Sequence, residues 1–114
     1  MKHDDVPVTK GIFYILGKDG RARTTTNLRK WHENFRNTRL RRVSRTKTKT
    51  ATVSTVFLGM NHRFGDGPPL VWETMIIGGD LDAYQTRCSG TRTAAIAMHK
   101  EVVQKQKRYE WDHS

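Results

Sequence analysis

Two β-branched, apolar runs constrain this chain more than anything else in it: "VSTVFLG", Val53 to Gly59, and "LVWETMII", Leu70 to Ile77. Val, Ile, Thr, Phe and Trp suit a pleated, half-buried surface, and the segment between the runs, "MNHRFGDGPP", supplies Gly, Pro and an Asp66-Gly67 turn signal. An antiparallel hairpin is the expected result. A symmetric loop sets Trp72 opposite Phe57, Thr74 opposite Thr55 and Ile76 opposite Val53, a matched face of cross-strand pairs. The alternate positions Val56, Leu58, Val71 and Met75 are apolar too, so the hairpin is expected to sit centrally and to be covered at least partly on both faces. Glu73 is the odd residue of that second face.

The stretch leading into the hairpin, "NTRLRRVSRTKTKTATVSTVFLG", begins as a run of arginines, becomes a Thr/Lys alternation and ends in the first strand. Its β-type residues run from Arg39 to Leu58, so it reads as strand. Before it, Ile12 to Leu16 reads as a short strand closed by an Asp19-Gly20 turn, and Leu28, Trp31 and Phe35 at i, i+3 and i+7 mark one stripe of a helix capped by Asn27 or a neighbouring threonine. After it come a strand around Tyr84 to Cys88 and a helix from about Thr91 to Lys107, capped by Ser89 or Thr91. Either Ala95, Met98 and Val102 or Ala95, His99 and Val103 form the core face of that helix. The predicted architecture is α+β: an antiparallel sheet of four to five strands, one short helix before the central hairpin and one C-terminal helix. At 114 residues there is material for one core, expected over 11–107, with flexible ends at 1–10 and 108–114.

Charge narrows the partners. With 21 Lys+Arg against 11 Asp+Glu the formal charge is +10, which favours polyanions or acidic protein surfaces. The excess is concentrated: Arg29, Lys30, Arg36, Arg39, Arg41, Arg42, Arg45, Lys47 and Lys49 fall in one tract whose only acid is Glu33. On a strand, Arg41, Arg45, Lys47 and Lys49 share one parity and Thr46, Thr48, Thr50 and Thr52 the other, giving a charged face and a hydroxyl face that both suit phosphate oxygens. The plain alternative is a solvated edge strand whose cations discourage edge-to-edge aggregation. No helix-turn-helix, zinc-finger or RRM signature accompanies the tract.

Catalytic and metal chemistry finds less support. His3, His32, His62, His99 and His113 are scattered without HxxxH or HExxH spacing, and the single Cys88 permits neither a disulfide framework nor a cysteine zinc site. No cofactor is implied. His62, Asp66 and Glu73 are the best remaining set for a ligand or acid/base site, because a carboxylate on an apolar strand face loses solvation. The plainer reading pairs Glu73 with an arginine or with loop amides. No run approaches the ~20 apolar residues of a membrane span and no signal peptide opens the chain, so a soluble, cytosolic protein is expected.

"VSTVFLGMNHRFGDGPPLVWETMIIGG" together with "TAAIAMHKEVV" resembles a family of small phage and prophage proteins marked by a VSTVFLG strand, a His-containing loop ending in GPPL, an ETM strand followed by paired glycines, and a helix with a late histidine. The resemblance runs from Phe13 to Val103 and implies an origin in a bacteriophage or prophage and a place in the host bacterial cytosol. It implies no activity. The departure is charge: where the family pattern has a more acidic strand, this chain reads "RLRRVSRTKTKT". The expected function is non-enzymatic binding of nucleic acid, DNA or RNA, through the basic strand and helix. Two alternatives stand beside it: an anti-defence inhibitor of a host protein or ribonucleoprotein complex, such as an anti-CRISPR protein, and a small-ligand or nucleotide binder using the His62–Glu73 loop. Oligomeric state is left open.

Overall fold

The computed structural model describes residues 12–114; the flexible N-terminal segment expected for 1–10 lies outside them. The fold is α+β. A small hairpin of β1 (Tyr14–Leu16) and β2 (Ala22–Thr24) precedes two helices, α1 (Leu28–Arg36) and α2 (Thr38–Arg41). Then come β3 (Arg42–Lys47), β4 (Thr52–Phe57), β5 (Trp72–Ile77) and β6 (Gln85–Cys88), and the chain closes with α3 (Arg92–Asp112). The last four strands form one antiparallel sheet in the order β3-β4-β5-β6, with β1-β2 a separate pair.

The central hairpin has the register its side chains dictate: Phe57 lies opposite Trp72, Thr55 opposite Thr74 and Val53 opposite Ile76. All six are 0% exposed. Helix α3 lies across β3, β4 and β5 and closes this face with Ala95, Met98, His99 and Val102, while Tyr14 and Leu16 of β1 join the same core beside Phe57 and Trp72.

Coverage of the second face is only partial. Ser54, Val56, Glu73 and Met75 on the other face are half-exposed and Ile77 is exposed. The reason is supply. The one long helix and the β1-β2 pair both pack into the Phe57–Trp72 core, and α1 seats on β1, so no described helix or strand is left to lie across the second face. Thr52 and Ser54, interleaved with Val56 on β4, let that face meet water.

Helix α1 forms as its stripe requires, with Asn27 Oδ1 accepting the Lys30 N–H at 3.0 Å. Trp31 stacks on Phe35, meets Phe13 edge-on and donates its indole N–H to the Gly59 carbonyl at 2.8 Å. Gly59 has φ +77, and a Cβ there would stand 3.1 Å from the Phe35 ring, so both backbone and contact demand glycine. Leu28, first in the stripe, is 58% exposed.

The arginine-threonine stretch breaks into three pieces rather than one long strand. Asn37 Oδ1 accepts the Leu40 N–H at 3.0 Å and starts the single turn of α2; β3 follows, and then a tight turn in which the Thr48 N–H donates to the Ala51 carbonyl at 2.8 Å. No Gly, Pro or Asn announces this turn. Its chemistry comes from α3, where the Glu110 carboxylate accepts the Thr48 hydroxyl (2.6 Å), the Thr50 amide (2.8 Å) and the Thr50 hydroxyl (2.8 Å). The Gln106 amide donates to the same carboxylate at 2.9 Å.

That clasp also moves the end of α3, expected at about Lys107: the helix continues to Asp112, with Glu110 anchored on the β3-β4 turn. The hydrogen bonds it accepts from Gln106 and Thr48, with those from Thr50, hold its pKa down at about 2. At the other end, neither Ser89 nor Thr91 supplies a side-chain cap; the Arg92 N–H donates instead to the Gly20 carbonyl of the β1-β2 turn at 3.0 Å. Among the described residues no helix is long and apolar enough to cross a membrane.

Candidate nucleic-acid interface

Among the described residues strand β3 is an edge, paired with β4 on one side only. Its ladder with β4 sets Arg42 opposite Val56, Arg45 opposite Ser54 and Lys47 opposite Thr52, whereas Ser44 and Thr46 stand opposite the buried Thr55 and Val53. Residues paired across an antiparallel ladder share a face, so Arg42, Arg45 and Lys47 all belong to the uncovered side. Simple alternation would put Arg42 on the other side from Arg45. A bulge between Arg42 and Ser44 adds one residue and brings it into line.

The charged parity is therefore Arg42, Arg45 and Lys47, not the expected Arg41, Arg45, Lys47 and Lys49. Arg41 is in α2 and is committed to structure. Its guanidinium lies 3.9 Å over the Phe35 ring and donates to the carbonyls of Phe57 (3.0 Å) and Phe35 (3.3 Å). Burial pushes its pKa down. Lys49 occupies the turn that ends β3. Arg29, Lys30 and Arg36 are exposed on α1 and Arg39 on α2, at the opposite end of β3. Among the described residues the ion pairs are Asp19 with Arg21 and Arg23, and Glu73 with Arg87. None involves the basic tract.

The second candidate set does not assemble. Glu73 stands opposite Arg87 in the β5-β6 ladder and accepts its Nε–H at 2.9 Å, so the odd carboxylate of the sheet face is one half of an ion pair. His62 and Asp66 are exposed in the β4-β5 loop. That loop is held by Asn61 Oδ1, which accepts the amides of Arg63 (2.8 Å) and Leu70 (3.0 Å). No hydrogen bond among the described residues links His62 or Asp66 to Glu73, and no cluster of three His, Cys, Asp or Glu suited to a metal is found among them. Burial raises the pKa of Cys88, away from thiolate reactivity.

Sequence reasoning missed the flank that α3 presents to the β3 edge. A groove of about 330 Å³ lies there, lined by Ser44, Thr46, His99, Lys100, Val103 and Gln104 with Lys107. Lys107 also lines the next cavity, about 280 Å³, together with Lys49, Glu110 and Trp111. Lys100, Gln104, Lys107 and Trp111 fall at i, i+4, i+7 and i+11, one stripe of a helix, and that spacing was the available signal. A helix that ends at Lys107 does not carry the stripe as far as Trp111.

His99 forms the groove floor. Its Nε2 lies 2.8 Å from Thr46 Oγ1 and its Nδ1 2.7 Å from Thr55 Oγ1, which in turn meets Thr74 Oγ1 at 2.5 Å. This polar chain ties α3 to three strands, and burial pushes the imidazole pKa below its ordinary value.

No protein-family model, curated protein or solved structure matches this chain.

Proposed function

We propose that this chain is a non-enzymatic nucleic-acid-binding protein that grips the phosphate backbone along β3 with Arg42, Arg45, Lys47 and Lys49, assisted at the α2 end by Arg39 and by the exposed cations of α1. The observation that carries this reading is the row Arg42, Arg45 and Lys47, exposed on an edge strand, on the sheet face that no described helix covers, and in no ion pair among the described residues. Cations needed only to blunt an edge need not be aligned on one side, yet the bulge aligns Arg42 with Arg45 and Lys47. Thr52 and Ser54, directly opposite Lys47 and Arg45, add hydroxyl groups for phosphate oxygens. Contacts of this kind position a backbone and carry little base information, so binding is sequence-tolerant. In the setting implied by the resemblance, the protein is a phage or prophage accessory factor acting in the host cytosol.

The test is a fluorescence binding series with single- and double-stranded DNA and RNA over a range of salt. Four phosphate contacts give a log-log salt slope of about 3, at roughly 0.7–0.9 per phosphate neutralised. A slope under about 2, or no binding at low salt, overturns the reading and turns attention to a protein partner.

A further inference from the structure

Resting on that reading, we infer that the preferred partner is a single strand, with one unstacked base lying on Trp111 while its flanking phosphates meet Lys49 and Lys107. The three tryptophans differ in what they do. Trp72 is fully buried and donates to the Gly90 carbonyl, and Trp31 is half-buried against Phe35 and Gly59. Trp111 is 81% exposed on the last turn of α3.

One exposed aromatic is ordinary on a protein surface. What sets Trp111 apart is its company. It lines one cavity with Lys49, from the end of β3, and Lys107, one helical turn back on its own stripe. Glu110 lines the same cavity as an ionised carboxylate, turned to the Thr48 and Thr50 donors of the turn, and the two ammonium groups of Lys49 and Lys107 outweigh its single charge. Lys107 then continues into the groove that contains Lys100, Gln104, Ser44 and Thr46.

From Lys100 to Trp111 the helix stripe spans roughly 16 Å at 1.5 Å per residue, and Arg42 to Lys47 spans about the same at 3.3 Å per residue. Two cationic lines of matching length thus flank the β3 edge, and Lys49 and Lys107 line the cavity beside the Trp111 ring. An aromatic ring beside a basic track is how sequence-tolerant single-strand binders hold bases, since every base offers a π-face. A duplex keeps its bases stacked on each other, and Trp111 has nothing to gain from it.

The experiment titrates wild type, Trp111→Ala and Trp111→Phe with an oligothymidylate of about ten nucleotides and with a duplex of the same length, reading both anisotropy and tryptophan emission. The expected result is quenching of wild-type emission by the single strand, loss of that quenching in Trp111→Ala, and a 5- to 100-fold weaker single-strand affinity with an unchanged salt slope. Trp111→Phe retains most of the affinity, duplex binding is indifferent to both substitutions, and the melting temperatures of all three proteins agree. Single-strand affinity unaffected by Trp111→Ala overturns the stacking inference and leaves the phosphate-binding reading standing. Tighter binding of the duplex does the same. Absence of binding to either probe at low salt overturns both.

Discussion

Thr55 is the junction of the buried polar chain, and a conservative change there tests whether the chain is a cooperative unit. Its hydroxyl meets Thr74 Oγ1 at 2.5 Å and His99 Nδ1 at 2.7 Å, in a site where Thr55 and Thr74 are 0% and His99 4% exposed. Thr55→Val keeps the shape and removes the hydroxyl, stranding two buried polar groups at about 1–3 kcal/mol each, so a loss on the order of 2–6 kcal/mol is expected. Thr74→Val strands nothing outright, because Thr55 keeps His99, and it costs about 1 kcal/mol. The double variant separates the accounts. Once Thr55 is valine, the Thr74 hydroxyl is an unpaired buried group, and replacing it recovers about 1–2 kcal/mol. The same substitution therefore destabilises the wild type and stabilises Thr55→Val. Equilibrium urea unfolding of the four proteins at pH 8, where His99 is neutral, measures the cycle. Additive costs, or a further loss on adding Thr74→Val to Thr55→Val, refute the claim that these hydroxyls form one satisfied network.

Charge reversal at Arg45, Lys47 and Lys49 together abolishes nucleic-acid binding and leaves the thermal midpoint nearly unchanged, because exposed charges contribute little to folding. Arg41→Ala does the opposite: it lowers the midpoint, since it removes the stacking on Phe35 and the hydrogen bond to the Phe57 carbonyl, and retains most of the binding. Acid titration of stability has two windows: His99, whose folded pKa is depressed, contributes fully above its ordinary 6.5 and loses that contribution as pH falls, while Glu110 contributes fully above 4.5 and loses it as pH falls through about 2. Melts from pH 8 to pH 2 show both for the wild type, and Glu110→Gln removes the lower one. Glu73→Gln costs only about 1 kcal/mol, since the side chain of Arg87 is 33% exposed and keeps Gln85 and water as partners; it leaves binding unchanged, and a loss of binding there shows that the sheet face near β6 is part of the interface.

Much of the fold was legible because its determinants are local or periodic. The register of β4 against β5 follows from a matched set of apolar and threonine side chains around a turn-rich loop, and the helices follow from the Trp31–Phe35 stripe and from the Ala95–Met98–Val102 stripe. Of the expected caps, Asn27 or a neighbouring threonine, Asn27 is the one that forms. The basic tract was equally plain as a concentration of charge, and so was the solitary Glu73, whose need for a cation follows from desolvation alone.

Other features depend on residues far apart in the chain, and only the tertiary structure decided them. The turn at Thr48 to Ala51 has no turn residues of its own; a carboxylate 60 positions away satisfies its amide at Thr50, and the same bond keeps the last helical turn, and Trp111 with it, in place. Whether the second sheet face would be covered depended on how many elements packed into the first. Arg41 and Arg45 are alike as letters, but one meets Phe35 and the Phe57 carbonyl while the other stands opposite Ser54 facing water. A one-residue bulge at Val43 then set which arginines point the same way, through backbone geometry that the side-chain pattern does not encode. Sequence determined how much positive charge this protein carries and on which segment; packing determined which of those cations remain free to bind.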